Sequence, residues 1–456
     1  MRQFPARTPR KSKGAHSPNA FGTNRERRFS ATSVRVPRAT PFVNPVTLQF
    51  DGESIVAERG EPVAAALVAA GKLALARSPK FHRPRGPSCL RAACDGCLAR
   101  VDDCPNVMTC MVPAAEGTVV KTQNTLGSRE VDFLRVTDWF FPKGMNHHEL
   151  FAGVPGLQGI MQSFARRVAG LGKLPAKTTA PREAKRRSAD VVVVGGGAAG
   201  MAIALRAVEA GRGVEVLDDS LDVGGTLRAF VGEDAIPWAS LRARFDACVT
   251  SRAIVVRTKT TAAALYGDDL LVVGDEGAEV VCARALILAS GAHDGALAFE
   301  GNDLPGVMSA RAASWLLARG ITLGERVVVC VADGAGAMGD VFARAATRAG
   351  QVVEVVRAAP LRAEGTARVK AVVVADGAKE RRIKADALVI DAPRAPAYEL
   401  CEQAGARLVH SPRGFLPQVD AGSIRDSIFA LGEVTGAPLE PSVIDSQADA
   451  IARRLS

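Results

Sequence analysis

Four cysteines carry the clearest chemistry in this chain. They read Cys89-x4-Cys94-x2-Cys97-x12-Cys110 within SCLRAACDGCLARVDDCPNVMTC. Three thiolates on one loop and a fourth further on is the plant-type spacing for a [2Fe–2S] cluster. Buried free thiols and a zinc site built on Cys94-x2-Cys97 are the two other readings of the same residues. Cys104 does not fit the ligand spacing; it is read as a packing residue or a substitute for Cys110.

A glycine turn is the second chemical feature. Gly195-x-Gly197-Ala198-Ala199-Gly200 follows a valine-rich segment and opens a helical pattern, MAIALRAVEAGR. Such a turn lets a pyrophosphate approach backbone N–H groups at a helix N-terminus. Asp218 ends the next predicted strand, where an acid reads adenosine ribose hydroxyls. Gly224 and Gly225, Gly291 after ALILAS, and Gly432-Glu433 near the C-terminus favour FAD over NAD at this turn.

A second turn, Gly334-x-Gly336-x-x-Gly339, also follows a predicted strand, but its ribose-reading position holds Arg357. NADP, with the arginine on the 2′-phosphate, NAD or another adenine nucleotide, and no nucleotide all stay open there. No catalytic residue is assigned. No Cys pair lies near Gly224-Gly225, and Cys248, Cys282, Cys330 and Cys401 stand alone, which argues against a disulfide reductase. His82, His293, His410 and the neighbours His147 and His148 are read as structural.

These residues need a scaffold. VTLQF-DG-ESIVAERG predicts a β-hairpin about Asp51-Gly52. A helix starts at Pro62 and closes at Gly71, and the cysteine loop follows. That order predicts a β-grasp, ferredoxin-like domain over 46–121. From residue 189 the pattern is α/β, with two Rossmann-like units, one nested in the other. The expected fold is a [2Fe–2S] domain followed by a glutathione-reductase-type FAD module. The expected parts are a basic tail (1–45), a connector (122–188), an FAD-binding domain (189–308 and 420–456) and a nested NAD(P)-type domain (309–419).

The net charge of +10 belongs to the tail, where residues 1–45 hold ten Lys or Arg and one acid, Glu26. About +1 is left for the rest, too little for a nucleic-acid-binding surface. The tail is read as disordered, as a consequence of start choice, or as a targeting segment. No apolar run is long enough to span a membrane. Nine cysteines, five of them between residues 89 and 110, point to metal ligation in a reducing, cytoplasmic setting.

With those motifs in place, the chain resembles the α-subunit family of heterotetrameric sarcosine oxidases. Opine and proline dehydrogenase α subunits and the cluster- and flavin-bearing subunits of hydrogen cyanide synthase are its relatives. FHRPRG (81–86), PNVMTCMVPAAEGTVV (105–120), FFPKGMNHHELF (140–151), RRVAGLGKLP (166–175) and LGEVTGAPL (431–439) carry the resemblance. It implies an α subunit that stops before the folate-binding half of sarcosine oxidase α. It also implies a partner subunit with its own flavin, which oxidises sarcosine, an opine, proline or a glycine-like substrate. Electrons would pass through the FAD and cluster of this chain. Three positions depart from the pattern. Leu90 and Ala92 replace loop glycines and are expected to crowd the cluster, and Glu433 replaces a terminal Asp. A self-sufficient NAD(P)H-linked reductase and a scaffold without its cluster are the alternatives.

Overall fold

The computed structural model describes residues 38, 40–79, 81–140, 156–160, 163 and 183–455. Most of the tail and connector therefore lie outside the described residues, including His147, His148 and RRVAGLGKLP. Among the described residues no helix is long and apolar enough to cross a membrane.

The first sheet has five strands, in the order Glu53–Glu58, Pro45–Phe50, Val119–Lys121, Leu98–Val101, Cys104–Met108. Asp51 and Gly52 both adopt positive φ, 49° and 85°, as a two-residue hairpin turn with matching twist requires. Val46, Leu48 and Phe50 alternate inward, and Leu48 lies opposite Ile55. Pro45–Phe50 then pairs in parallel with Val119–Lys121, so the chain returns beside its own first strand. Helix Val63–Ala69 covers this sheet, with every residue from Val63 to Val68 buried. Gly71, at φ 78°, ends its last turn.

The second sheet has a parallel core: Ile254–Arg257, Val214–Leu217, Lys185–Val194, Gly277–Leu288 and Ile428–Ala430. Val191 to Val194 are all buried, the unbroken apolar run of a strand covered on both faces. Helices Ala198–Glu209 and Pro441–Leu455 pack against one another over it. A third sheet, Val307–Ser309, Ala387–Asp391, Arg326–Val331, Val352–Val356, is wholly parallel. It is inserted between Gly277–Leu288 and Ile428–Ala430, which explains why the second glycine turn sits inside the first unit.

The apolar core under the first sheet does not stop at its helix. It runs on through Met308, Ala312, Trp315, Leu316 and Ile321 into Val327 and Val329 of the third sheet. Helix Ala310–Ala318 lines this junction. The cysteine loop is thereby held against the dinucleotide unit by packing, and the Ser309 N–H donates to the Ser88 carbonyl at 2.9 Å.

Candidate functional site

The loop after Ser88 brings the four cysteines together. Cys89, Cys97 and Cys110 are buried and Cys94 half-buried, whereas Cys104 is exposed on the last strand of the first sheet. The thiols fall into two neighbouring pairs, Cys89 with Cys94 and Cys97 with Cys110. Two pairs suit a two-iron rhomb, in which each iron takes two thiolates. Among the described residues no three His, Cys, Asp or Glu side chains converge as they would on a single ion. Backbone N–H groups face the sulfurs: Arg91 and Ala93 donate to Cys89 Sγ at 3.4 and 3.3 Å, and Ala92 to Cys110 Sγ at 3.3 Å. Hydrogen bonds from Cys89 and Ser88 hold the Cys94 thiol down at about 5, so it is ready to ligate as thiolate.

Leu90 and Ala92 have φ of 53° and 59°. The loop keeps the left-handed conformation of a glycine pair while carrying two side chains, at roughly 1–2 kcal/mol each. Leu90 is buried in the apolar core of the first sheet. The consequence of these residues is backbone strain at two positions whose N–H groups, or those of their neighbours, still reach sulfur. Gly96 must be glycine, since a Cβ there would lie 1.8 Å from the Gly86 carbonyl oxygen. The FHRPRG segment is thus the floor of the cysteine loop. His82 is fully buried, 2.9 Å from Asp132, and Arg83 reaches Asp138 at 2.6 Å.

A cavity of about 280 Å³ opens at the first glycine turn. Gly195, Gly197, Ala198, Ala199, Asp218, Gly225, Gly291 and Glu433 line it. Gly200, Gly224 and Gly432 do not line it but shape it. A Cβ on Gly200 would sit 1.8 Å from the Gly195 carbonyl oxygen, so the helix could not close on the turn. Asp218 accepts from Gly196 N–H and Ser220 N–H, both at 2.8 Å, and each oxygen keeps a second acceptor position. Burial outweighs these bonds and holds its carboxyl above the usual range. Glu433 is tied to Arg394 at 2.6 Å. A close-approach turn, a helix N-terminus and a buried acid at the next strand end fit an adenine dinucleotide.

The second turn is built differently. Asp391 accepts from Gly339 N–H at 2.7 Å, and Arg357 is bound to Asp340 at 2.6 Å on the surface. Gly334 has φ 71°, and the space over Gly336 is open. The cavity beside this turn, lined by Met338 and Asp391, is only about 10 Å³.

Sequence reasoning missed three arginines. Arg91 of the cysteine loop lines the cavity at the first glycine turn and donates to the Ala292 carbonyl at 2.9 Å. Arg311 grips Asp294 through two bonds, at 2.8 and 2.7 Å, and lines the same cavity, and Arg394 holds Glu433. A cation inside the cysteine loop was a usable signal for Arg91; nothing local marks the other two.

Known proteins match these parts. The 2Fe-2S iron-sulfur cluster binding domain matches residues 43–125, and the pyridine nucleotide-disulphide oxidoreductase domain matches 189–364. Sarcosine oxidase subunit alpha of Corynebacterium sp. (strain P-1) is 28% identical over 432 residues, 83% of this chain and 40% of that protein. Its counterpart in Rhizobium meliloti (strain 1021) is 29% identical over 323 residues, 64% of this chain and 32% of that protein. The chain thus spans well under half the length of these relatives. L-proline dehydrogenase from P. horikoshii shares the fold, with a TM-score of 0.64 at 21% identity over 88% of this chain and 70% of that one.

Proposed function

We propose that this chain, a homologue of the sarcosine oxidase α subunits, is an electron-transfer subunit of a flavin-dependent amine or amino-acid oxidising complex. One observation carries the reading: Arg91 stands on the cysteine loop and also lines the cavity of the first glycine turn. A cluster and a flavin bound at these places would be near neighbours. Cys89, Cys94, Cys97 and Cys110 would hold [2Fe–2S]. Gly195 to Gly200 and Asp218 would hold the adenosine and pyrophosphate of FAD, and Glu433 would face its remaining chain. Bound there, the flavin exchanges electrons in pairs and the cluster singly. The chain's own part is to exclude water, orient both groups and fix the charges around them.

The relatives' names describe subunits, which supports a hetero-oligomer with a flavin-dependent, amine-oxidising partner and a CH–NH donor oxidised outside this chain. The test is anaerobic purification followed by a visible spectrum before and after dithionite, with iron and sulfide assays. The reading expects flavin, two irons per chain, and no bleaching by sarcosine, proline or an opine until the partner is added. Rapid amine oxidation by the isolated chain would overturn it.

The nested turn supports a second reading, an NAD(P)H-fed reductase, through its open space over Gly336 and the family that matches residues 189–364. Arg357 is committed to Asp340, and Asp391 places a carboxylate against the helix that a pyrophosphate would meet. Flavin bleaching by NADH or NADPH within seconds would establish this reading in place of the first.

A further inference from the structure

We propose that Arg91 is a redox-positioning residue, whose guanidinium holds a positive charge between the cluster loop and the flavin cavity and so favours arrival of an electron at the cluster. The assignment rests on the electron-transfer reading above and says which residue of this chain sets the balance between the two carriers.

Three observations support it. Arg91 is fixed at both ends. Its backbone N–H donates to Cys89 Sγ at 3.4 Å, and its side chain donates to the Ala292 carbonyl at 2.9 Å, one residue past the cavity-lining Gly291. Asp294 and Asp219 lie within electrostatic reach of its guanidinium, yet Arg91 forms an ion pair with neither among the described residues. Of the two, Asp294 is engaged by Arg311 at 2.8 and 2.7 Å and by Ser309 at 2.9 Å. Finally, the two guanidiniums repel one another, while the Cys89 sulfur lies within electrostatic reach of both.

Two guanidiniums with one paired carboxylate between them leave a positive charge that a further anion would offset. A loaded cluster is such an anion. Two ferric irons, two sulfides and four thiolates leave it dianionic, and one electron, which turns one ferric iron ferrous, makes it trianionic. A fixed cation beside Cys89 stabilises the product of that step more than the reactant. Charge near the cluster is one of the means by which a protein sets its potential.

The experiment uses the full-length protein, loaded and anaerobic, titrated with dithionite against redox mediators. Cluster reduction is followed by electron paramagnetic resonance and flavin content by absorbance. The variants are Arg91→Gln, which removes the charge and keeps a hydrogen-bond donor, Arg91→Met, which removes both, and Arg91→Lys, which keeps the charge. With normal iron and flavin content, R91Q and R91M are expected to weaken cluster reduction about tenfold, a midpoint about 59 mV lower for a one-electron couple, while R91K stays within about threefold of wild type. Neutral variants that titrate like wild type overturn the assignment. So does an R91K midpoint displaced as far as that of R91Q, because geometry and not charge would then be responsible. Loss of the cluster from both neutral variants, with normal content in R91K, makes the residue a clamp of the loop and also overturns it. A wild-type protein without iron overturns the electron-transfer reading itself, and this assignment with it.

Discussion

Replacing Ala92 and Leu90 one at a time by glycine should move the stability of the cluster domain in opposite directions. Both residues sit in the left-handed region, at φ 59° and 53°, and each stores roughly 1–2 kcal/mol of strain that glycine would release. Glycine also loosens the unfolded chain, which takes back about 0.4–1 kcal/mol. For Ala92, half-buried and carrying only a methyl, the net is a gain of up to about 1.6 kcal/mol. Leu90 is different, because its side chain is buried in the core beneath the first sheet. Truncating a buried leucine costs about 2–5 kcal/mol, so Leu90→Gly should lose about 1–4 kcal/mol in spite of the relieved backbone. The assay is urea denaturation of the iron-loaded protein, read through cluster absorbance so that only the first sheet and its loop report. Ala92→Gly should raise the midpoint by a few tenths molar, and Leu90→Gly should lower it by more. Stabilisation by Leu90→Gly would refute the reasoning. It would mean that the leucine crowds the cluster, as the sequence alone suggests, and is not anchored in the core.

Other expectations follow from single contacts. Gly200→Ala puts a Cβ 1.8 Å from the Gly195 carbonyl oxygen, so the purified variant should carry little or no flavin, measured as the 450 nm to 280 nm absorbance ratio. Asp218→Asn should separate binding from stability. Burial raises the folded carboxyl's pKa, so its contribution is favourable below the unfolded carboxylate range and is lost as pH rises through the folded value. Asn keeps one acceptor oxygen and turns its NH2 toward the other backbone N–H at every pH, so the flavin-free variant should melt furthest below wild type in acid and close that gap toward neutral pH, while FAD affinity falls about 10- to 100-fold as charged hydrogen bonds to ribose are lost. His82→Ala removes the fully buried partner of Asp132 and should cost about 3 kcal/mol in thermal or urea unfolding. Asp132 also caps Leu134 N–H at 3.1 Å, so the loop over 126–134 should become the first site of proteolysis in that variant.

What the sequence made legible was whatever is written in short spacings. The four cysteines, the turn at Asp51-Gly52 and the glycines before helix Ala198–Glu209 each fix a backbone shape within about ten to twenty residues, and each lies where the spacing puts it. The nested order was legible for a related reason, since two strand–turn–helix units in one chain leave the C-terminal LGE to return to the first. The links between those units were not. Arg91 meets Ala292 across 201 positions, and the core of the first sheet continues into Trp315 and Val329. No periodicity encodes such a contact, because it depends on which faces are left uncovered after each unit has folded. Leu90 and Ala92 show the same limit from the other side. Their identities suggested a crowded cluster, but where a side chain points is set by the core it can reach, and for Leu90 that core is built by helix Val63–Ala69 and by residues more than two hundred positions downstream. The motifs therefore name the cofactors, while the packing between motifs places the charges that would control how electrons divide between them.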